Sequence, residues 1–234
     1  KFRSYKVDVK RSQHLLQTWF QLSQSLPNDC FSAFVQNHTT TYILLTQTAT
    51  FNNAAVKVFI EGLSSISDKS TESQRQTLQA ALKNYYGRTY PMNFKNASAG
   101  LYTGYEQIAD FSDKILNEVL HTPGMIYQVN TLGGKIQQQS FEVGSAFPHR
   151  RLLYFSELQT YWEQSSQAVR LMATFEKVQT IVRNHGIHEQ YRNYPDINFI
   201  NSLDSYYGQH LERLRKIKKR YDPGNVFRFE QSIR

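Results

Sequence analysis

The chain has 234 residues, 40% of them hydrophobic and 14% aromatic, enough apolar material for one large globular domain or a domain with an appended segment, which argues against disorder. No run approaches the ~18 consecutive apolar residues of a membrane span, so a soluble chain without a membrane partner is expected. The formal charge of +8 admits a polyanionic partner. Much of it is local, however: residues 213–220 hold Arg213, Arg215, Lys216, Lys218, Lys219 and Arg220, while Tyr207, Leu211, Leu214, Ile217 and Tyr221 keep helical spacing through the same stretch. This pattern reads as an amphipathic helix with a solvated basic face, and no nucleic-acid partner is expected.

In chain order, Phe2, Tyr5, Val7 and Val9 alternate as a strand, and Ser12 is placed to cap a helix carrying Leu15, Leu16, Trp19, Phe20 and Leu22, closed by Pro27 and Asn28. Residues 30–36 and 41–50 form a hairpin. Asn52 or Asn53 starts a helix through Val58 and Leu63, residues 64–73 are a loop, and Thr71 caps a helix that runs to Gly87. Residues 90–104 read as irregular. Ile108, Phe111, Ile115 and Val119 mark a helix; residues 125–130, 136–143 and 152–161 read as strands, with a turn at Gly133-Gly134. A long helix follows over 162–184, then a short strand, the basic helix, a turn at Asp222-Pro223-Gly224-Asn225 and an extended apolar tail. The fold class is α+β: an antiparallel sheet with helices packed on one face, plus a C-terminal helix and extended tail.

The single cysteine, Cys30, excludes an intrachain disulfide and a thiolate zinc cluster, and its apolar neighbours make it a buried thiol. Scattered histidines give no metal site. Asn37-His38-Thr39 and Asn96-Ala97-Ser98 have the form of glycosylation acceptors without deciding a compartment. Without a visible signal or disulfides, a cytoplasmic location is the expectation. The opening lacks an initiator Met and reads as the interior of a longer polypeptide.

Phosphate loops, dinucleotide glycine fingerprints, nucleophile elbows and HExxH helices are absent. Three segments in fixed order stand out instead. They are Gly133-Gly134 with Ser145-Ala146-Phe147-Pro148-His149-Arg150; Tyr191-Arg192-Asn193-Tyr194-Pro195-Asp196; and Tyr206-Tyr207-Gly208 followed by Lys218-Lys219-Arg220-Tyr221-Asp222-Pro223-Gly224-Asn225-Val226-Phe227 and Gln231-Ser232-Ile233. Together they resemble the C-terminal half of berberine bridge enzyme-like FAD oxidases, within the vanillyl-alcohol oxidase fold group. The sequence departs from the common pattern at Arg151 and His210.

The resemblance implies a substrate-binding domain over 1–204 and a C-terminal segment over 205–234 that returns to an FAD domain lying outside this chain. FAD would be held mainly by that domain, and a small-molecule substrate would bind under the sheet. Hydride would pass from substrate to flavin N5 while a base removes a proton. Tyr194 matches the second Tyr of the family's YxNY strand and is the first candidate for that base; Glu157 is held as a base or substrate ligand. Gln128, Gln159, Tyr161 and Arg192 are the expected substrate contacts, and Tyr191, Asn193 and Asn225 the expected cofactor contacts. Period-2 geometry in a regular strand sends Tyr194 and Arg192 to one face and Tyr191 and Asn193 to the other. His149 and Arg150 are expected to fix their loop. The competing reading is a non-catalytic module of the same fold that uses its basic face for an anionic ligand or protein.

Overall fold

A computed structural model describes residues 1–49, 52–85, 90–141 and 144–234. In chain order the elements are β1 (Phe2–Asp8), α1 (Ser12–Ser23), β2 (Cys30–Asn37), β3 (Thr40–Gln47), α2 (Ala54–Ile66), β4 (Lys69–Glu72), α3 (Leu78–Leu82), β5 (Asn93–Tyr102), α4 (Ala109–Leu120), β6 (Met125–Thr131), β7 (Tyr154–Trp162), α5 (Ser165–Asn184), α6 (Ser202–Tyr207) and α7 (Leu211–Tyr221). The strands form one sheet in the order β4-β1-β3-β2-β6-β7-β5, antiparallel at every pairing. The α+β reading holds.

Alternation builds the sheet's two faces. Tyr5, Val7, Phe34, Ile43, Leu45, Tyr127, Val129, Tyr154 and Leu158 point to the side covered by α1, α2, α4 and α5, where they close the core with Trp19, Phe59, Ile115 and Phe175. Trp19 is fully buried, and its indole N–H donates to Ser32 Oγ at 2.8 Å, so the ring's polar edge is satisfied inside the core. The opposite face carries a smaller apolar cluster of Ala33, Val35 and Leu44, against which Phe2, Phe31, Tyr42, Tyr85 and Ile126 pack. Toward β6, β7 and β5 this second face turns polar, and the candidate site lies there.

Several local expectations are corrected. Ser12 is the first residue of α1, not its cap, because its hydroxyl is taken up by the Val9 carbonyl and by Thr41. Asn53 does cap α2, accepting from the Ala55 and Val56 amides. Residues 64–73 are no loop: α2 continues to Ile66, and β4 adds to the sheet as an edge strand on β1. Thr71 therefore sits in β4, and Thr77 caps α3. The proposed stop at Gly87 lies outside the described residues, as do Thr50 at the end of the second hairpin strand and Val143. Residues 136–141 form 3₁₀ turns in place of a strand. The largest correction is β5: ten residues in the stretch read as irregular form a sheet strand bent by a bulge between Ser98 and Leu101.

Glycine is required where β6 begins. Gly124 has φ +96°, and a Cβ there would stand 2.5 Å from the carbonyl oxygen of Tyr161, which is backbone and has no room to yield. Gly124→Ala is expected to destabilise the protein by at least about 2 kcal/mol, measured by denaturant unfolding. A cost below about 0.5 kcal/mol would show that the approach is not constrained.

Candidate active site

Glu157 lies at the middle of β7, with Gln128 of β6 opposite it on one side and Ser98 of β5 on the other. Phe155, Glu157, Gln159 and Tyr161 alternate with the core-facing Tyr154, Ser156, Leu158 and Thr160, so the polar set projects from the face away from the helices. The Glu157 residue is 4% exposed. Burial pushes its carboxyl above the usual carboxylate range, opposed by hydrogen bonds from Asn96, Gln159 and Asn130. Asn96 Nδ2 donates to Glu157 Oε2 at 3.3 Å, and Gln128 Nε2 donates to Asn130 Oδ1 at 2.7 Å. The carboxyl thus sits in a nest of side-chain amides, a setting that favours a neutral acid more than salt-bridge partners would.

Beside it, Tyr161 donates to Gln159 Oε1 at 2.8 Å and stacks on Phe94 with ring centroids 6.1 Å apart. Tyr194 stacks on Phe155 at 5.4 Å and 16°. Burial raises the Tyr194 phenol above its ordinary value, and the charge of Glu157 raises it further. Both effects favour the protonated phenol of Tyr194, whereas burial moves the proton affinity of the Glu157 carboxyl toward neutrality.

The YRNY segment is not a strand. The Tyr194 N–H donates to the Tyr191 carbonyl at 3.0 Å, closing a turn, and both rings lie on the same side, 5.6 Å apart, around Phe155. The expected division of Tyr191 and Tyr194 between opposite faces is overturned, because the segment's backbone bonds go to its own turn and to Ser98 rather than to a ladder. Asn193 Nδ2 donates to the Tyr191 hydroxyl at 2.8 Å. Arg192 bonds toward the C-terminal segment: its Nε donates to the Tyr207 hydroxyl at 3.2 Å, and its guanidinium lies 5.3 Å from the ring centres of both Tyr206 and Phe229. It fastens the C-terminal segment to the turn. Gln231 Nε2 adds a second tie to the Asp196 carbonyl at 2.7 Å.

A cleft of about 460 Å³ opens beside this turn, walled by Leu101, Phe147, Phe155, Tyr191, Tyr206 and Tyr207, with Arg192 and Asn193 among its lining residues. His149 stays buried and fixes its loop by hydrogen bonding to the Gln190 carbonyl at 3.1 Å; burial lowers its pKa. Arg150 donates to the Ile136 carbonyl at 2.7 Å. Asn225 is not brought into this cleft. It sits in the turn after α7 at φ +49° and lines a separate cleft with Arg215, Lys216, Lys219 and Arg234.

Sequence reading missed Asn96, Ser98 and Asn130. The alternation of Asn96 and Ser98 with the core-facing Ala97 and Ala99 was the available signal, obscured by Gly100 and by polar residues whose burial rests on hydrogen bonds. The same placement removes Asn96-Ala97-Ser98 as a glycosylation site, since the Asn96 amide is engaged beneath the sheet, whereas Asn37 is exposed at the end of its hairpin strand. Cys30 is buried with its thiol pushed up to about 11 by burial. Among the described residues no cluster of three metal-ligating side chains occurs, and no helix is long and apolar enough to cross a membrane.

Residues 190–234 match the family model described as berberine and berberine like. An uncharacterised FAD-linked oxidoreductase of Bacillus subtilis (strain 168), YvdP, is 36% identical over 120 residues, covering 51% of this chain and 26% of that protein. Berberine bridge enzyme-like 22 of Arabidopsis thaliana is 33% identical over 131 residues, covering 48% of this chain and 24% of its own length. In three dimensions, BBE-like 1 of Physcomitrella patens superposes with a TM-score of 0.82 at 20% identity, over 100% of this chain and 53% of that one. At that identity the superposition speaks for the fold alone, and the chain spans about half the length of that solved relative. The Bacillus subtilis relative is named as an FAD-linked enzyme. The chain thus carries a berberine and berberine-like domain at its C-terminal end, and it resembles FAD-linked oxidoreductases and berberine bridge enzyme-like proteins in sequence and BBE-like structures in fold.

Proposed function

We propose that this chain is the substrate-binding and C-terminal portion of an FAD-dependent oxidoreductase that oxidises an alcohol, sugar, amine or activated C–H by hydride transfer to flavin N5. Residues 1–204 form the substrate side. Residues 205–234 return to a domain, outside this sequence, that holds most of the FAD. The single observation that carries the reading is Glu157: a buried carboxyl on a polar sheet face, held by amides and flanked by two tyrosines whose phenols feel its charge.

The residues present suit a flat heteroaromatic group. The cleft beside the tyrosine turn is walled by aromatic and aliphatic side chains, with Arg150, Arg192 and Asn193 also lining it, so a planar ring would find apolar faces and polar contacts. When bound, FAD supplies the two-electron acceptor. Glu157 takes the proton from the substrate's oxygen, nitrogen or carbon; burial raises its proton affinity, the direction that strengthens a carboxylate as a base. Gln128, Gln159 and Tyr161 hold and orient the substrate around it. Tyr194 keeps its own proton while Glu157 is ionised, and it shares that proton with the substrate heteroatom.

The tail supports the same reading. The apolar stripe of α7 begins buried at Leu211 and becomes progressively exposed through Ile217 and Tyr221, after which Val226, Phe227 and Phe229 are all exposed. Such a run suits a surface supplied by another domain. In the flavin-loaded full-length protein, Tyr194→Phe is expected to lower kcat by about tenfold or more, with KM changed far less. Wild-type kcat in this variant would remove Tyr194 from the chemistry.

A further inference from the structure

We infer that Ser98, at the β5 bulge, is a positioning residue that sets the tyrosine turn against the sheet; the inference rests on the proposed role of Tyr194. Ser98 is fully buried and its main-chain and side-chain groups are bonded outward from the strand. Its N–H donates to the Tyr194 carbonyl at 2.9 Å, and its Oγ accepts from the Tyr191 N–H at 3.0 Å. Its carbonyl accepts from Gln179 Nε2 of α5 at 2.8 Å, and Gln179 is itself 3% exposed. One residue therefore holds both ends of the Tyr191–Tyr194 turn and is in turn held by the long helix on the other side of the sheet.

The edge position of β5 makes this possible. The β5–β7 register runs regularly through Ser98, opposite Glu157, and resumes at Leu101, opposite Phe155. Gly100, at φ +109°, takes up the extra length, and its own N–H reaches back to Ser98 Oγ at 3.4 Å. On this edge strand the Ser98 N–H points away from β7, to the tyrosine segment. Phe155, across the gap, is the ring on which Tyr194 stacks. The same strand also carries Asn96, which donates to Glu157. β5 thus references both proton-handling groups to one rigid element, the arrangement by which a catalytic pair keeps its mutual distance.

The test uses the flavin-loaded full-length protein with Ser98→Ala, which deletes the Oγ acceptor, and Ser98→Thr, which keeps it. Amide exchange of residues 190–195 is expected to quicken about 5- to 10-fold in Ser98→Ala, with the rest of the sheet unchanged. kcat per folded site is expected to fall about 10- to 100-fold at nearly constant KM, and Ser98→Thr to recover most of both. Unchanged exchange over 190–195 overturns the inference. So does faster exchange with wild-type kcat in a protein whose kcat does fall with Tyr194→Phe. If Tyr194→Phe itself is silent, the proton role of Tyr194 fails, while the positioning of the turn is still decided by the exchange result. Should Ser98→Ala not fold, Ser98→Cys, with its weak acceptor, is judged by the same criteria.

Discussion

Glu157→Gln is expected to make the protein more stable at pH 8 and, in the flavin-loaded full-length enzyme, to lower kcat by about 10²- to 10⁴-fold. Both effects have one cause. The folded protein raises the proton affinity of Glu157 above that of the unfolded chain, chiefly by burial. Below the ordinary glutamate range the side chain is neutral in both states and costs nothing extra. As pH rises from that range through the raised folded value, the unfolded chain ionises more readily than the folded one, so stability is progressively lost. Gln is neutral at every pH and fits the same amide neighbourhood of Asn96, Gln128, Asn130 and Gln159. Thermal melts should coincide near pH 4 and separate toward pH 8, with the variant the higher. A variant less stable than wild type at pH 8 would mean that the carboxylate is not penalised by its surroundings, and the general-base proposal would lose its footing. Kinetically, the wild-type rate should rise with pH as Glu157 ionises, and the variant's residual rate should lack that limb.

The second large effect concerns the far side of the tyrosine turn. Asp196 follows Pro195 directly, is 3% exposed, and pairs with Lys95 of β5 at 2.9 Å. Its Oδ1 also accepts from the Asn198 N–H at 3.1 Å, and Lys95 lies 4.7 Å over the ring of Phe175. Lys95→Met keeps the chain's bulk against Phe175 but leaves a buried carboxylate without its cation, which costs about 3–5 kcal/mol. Adding Asp196→Asn removes the orphaned charge and is expected to restore the greater part. That reversal distinguishes an unpaired charge from lost packing, which the second substitution would not repair. Denaturant unfolding of the two single variants and the double variant measures it. A single-variant loss under about 1 kcal/mol would mean that solvent reaches Asp196 once Lys95 is gone.

Residues far apart in sequence meet here: Lys95 and Asp196, Ser98 and Tyr191, Asn96 and Glu157. The site is therefore a property of β5 as much as of the motif that first draws the eye. This explains why the motif alone misplaced its own side chains. Tyr191-Arg192-Asn193-Tyr194 has the composition of a strand, yet its backbone is satisfied by a turn and by the β5 bulge, and both rings gather on Phe155.

Local sequence by itself determined the elements whose burial is apolar and periodic: β1, the β2–β3 hairpin, α1, α2, α4, the β6 and β7 strands, the long α5 and the basic α7. Hydrophobic spacing reports such burial directly, because the side chains that leave water are the ones that recur. The motifs in the C-terminal half were also legible, and with them the resemblance to FAD-linked enzymes. Tertiary structure alone decided β4, which is exposed and polar and is a strand only because β1 offers an open edge. It decided β5, whose Asn96 and Ser98 are covered through hydrogen bonds to groups 61 and 93 residues away and so leave no hydrophobic trace. It also decided the contacts of Arg192, whose partners Tyr206, Tyr207 and Phe229 lie in the C-terminal segment. In each case a distant partner fixes the conformation, and neighbours in sequence carry no record of it.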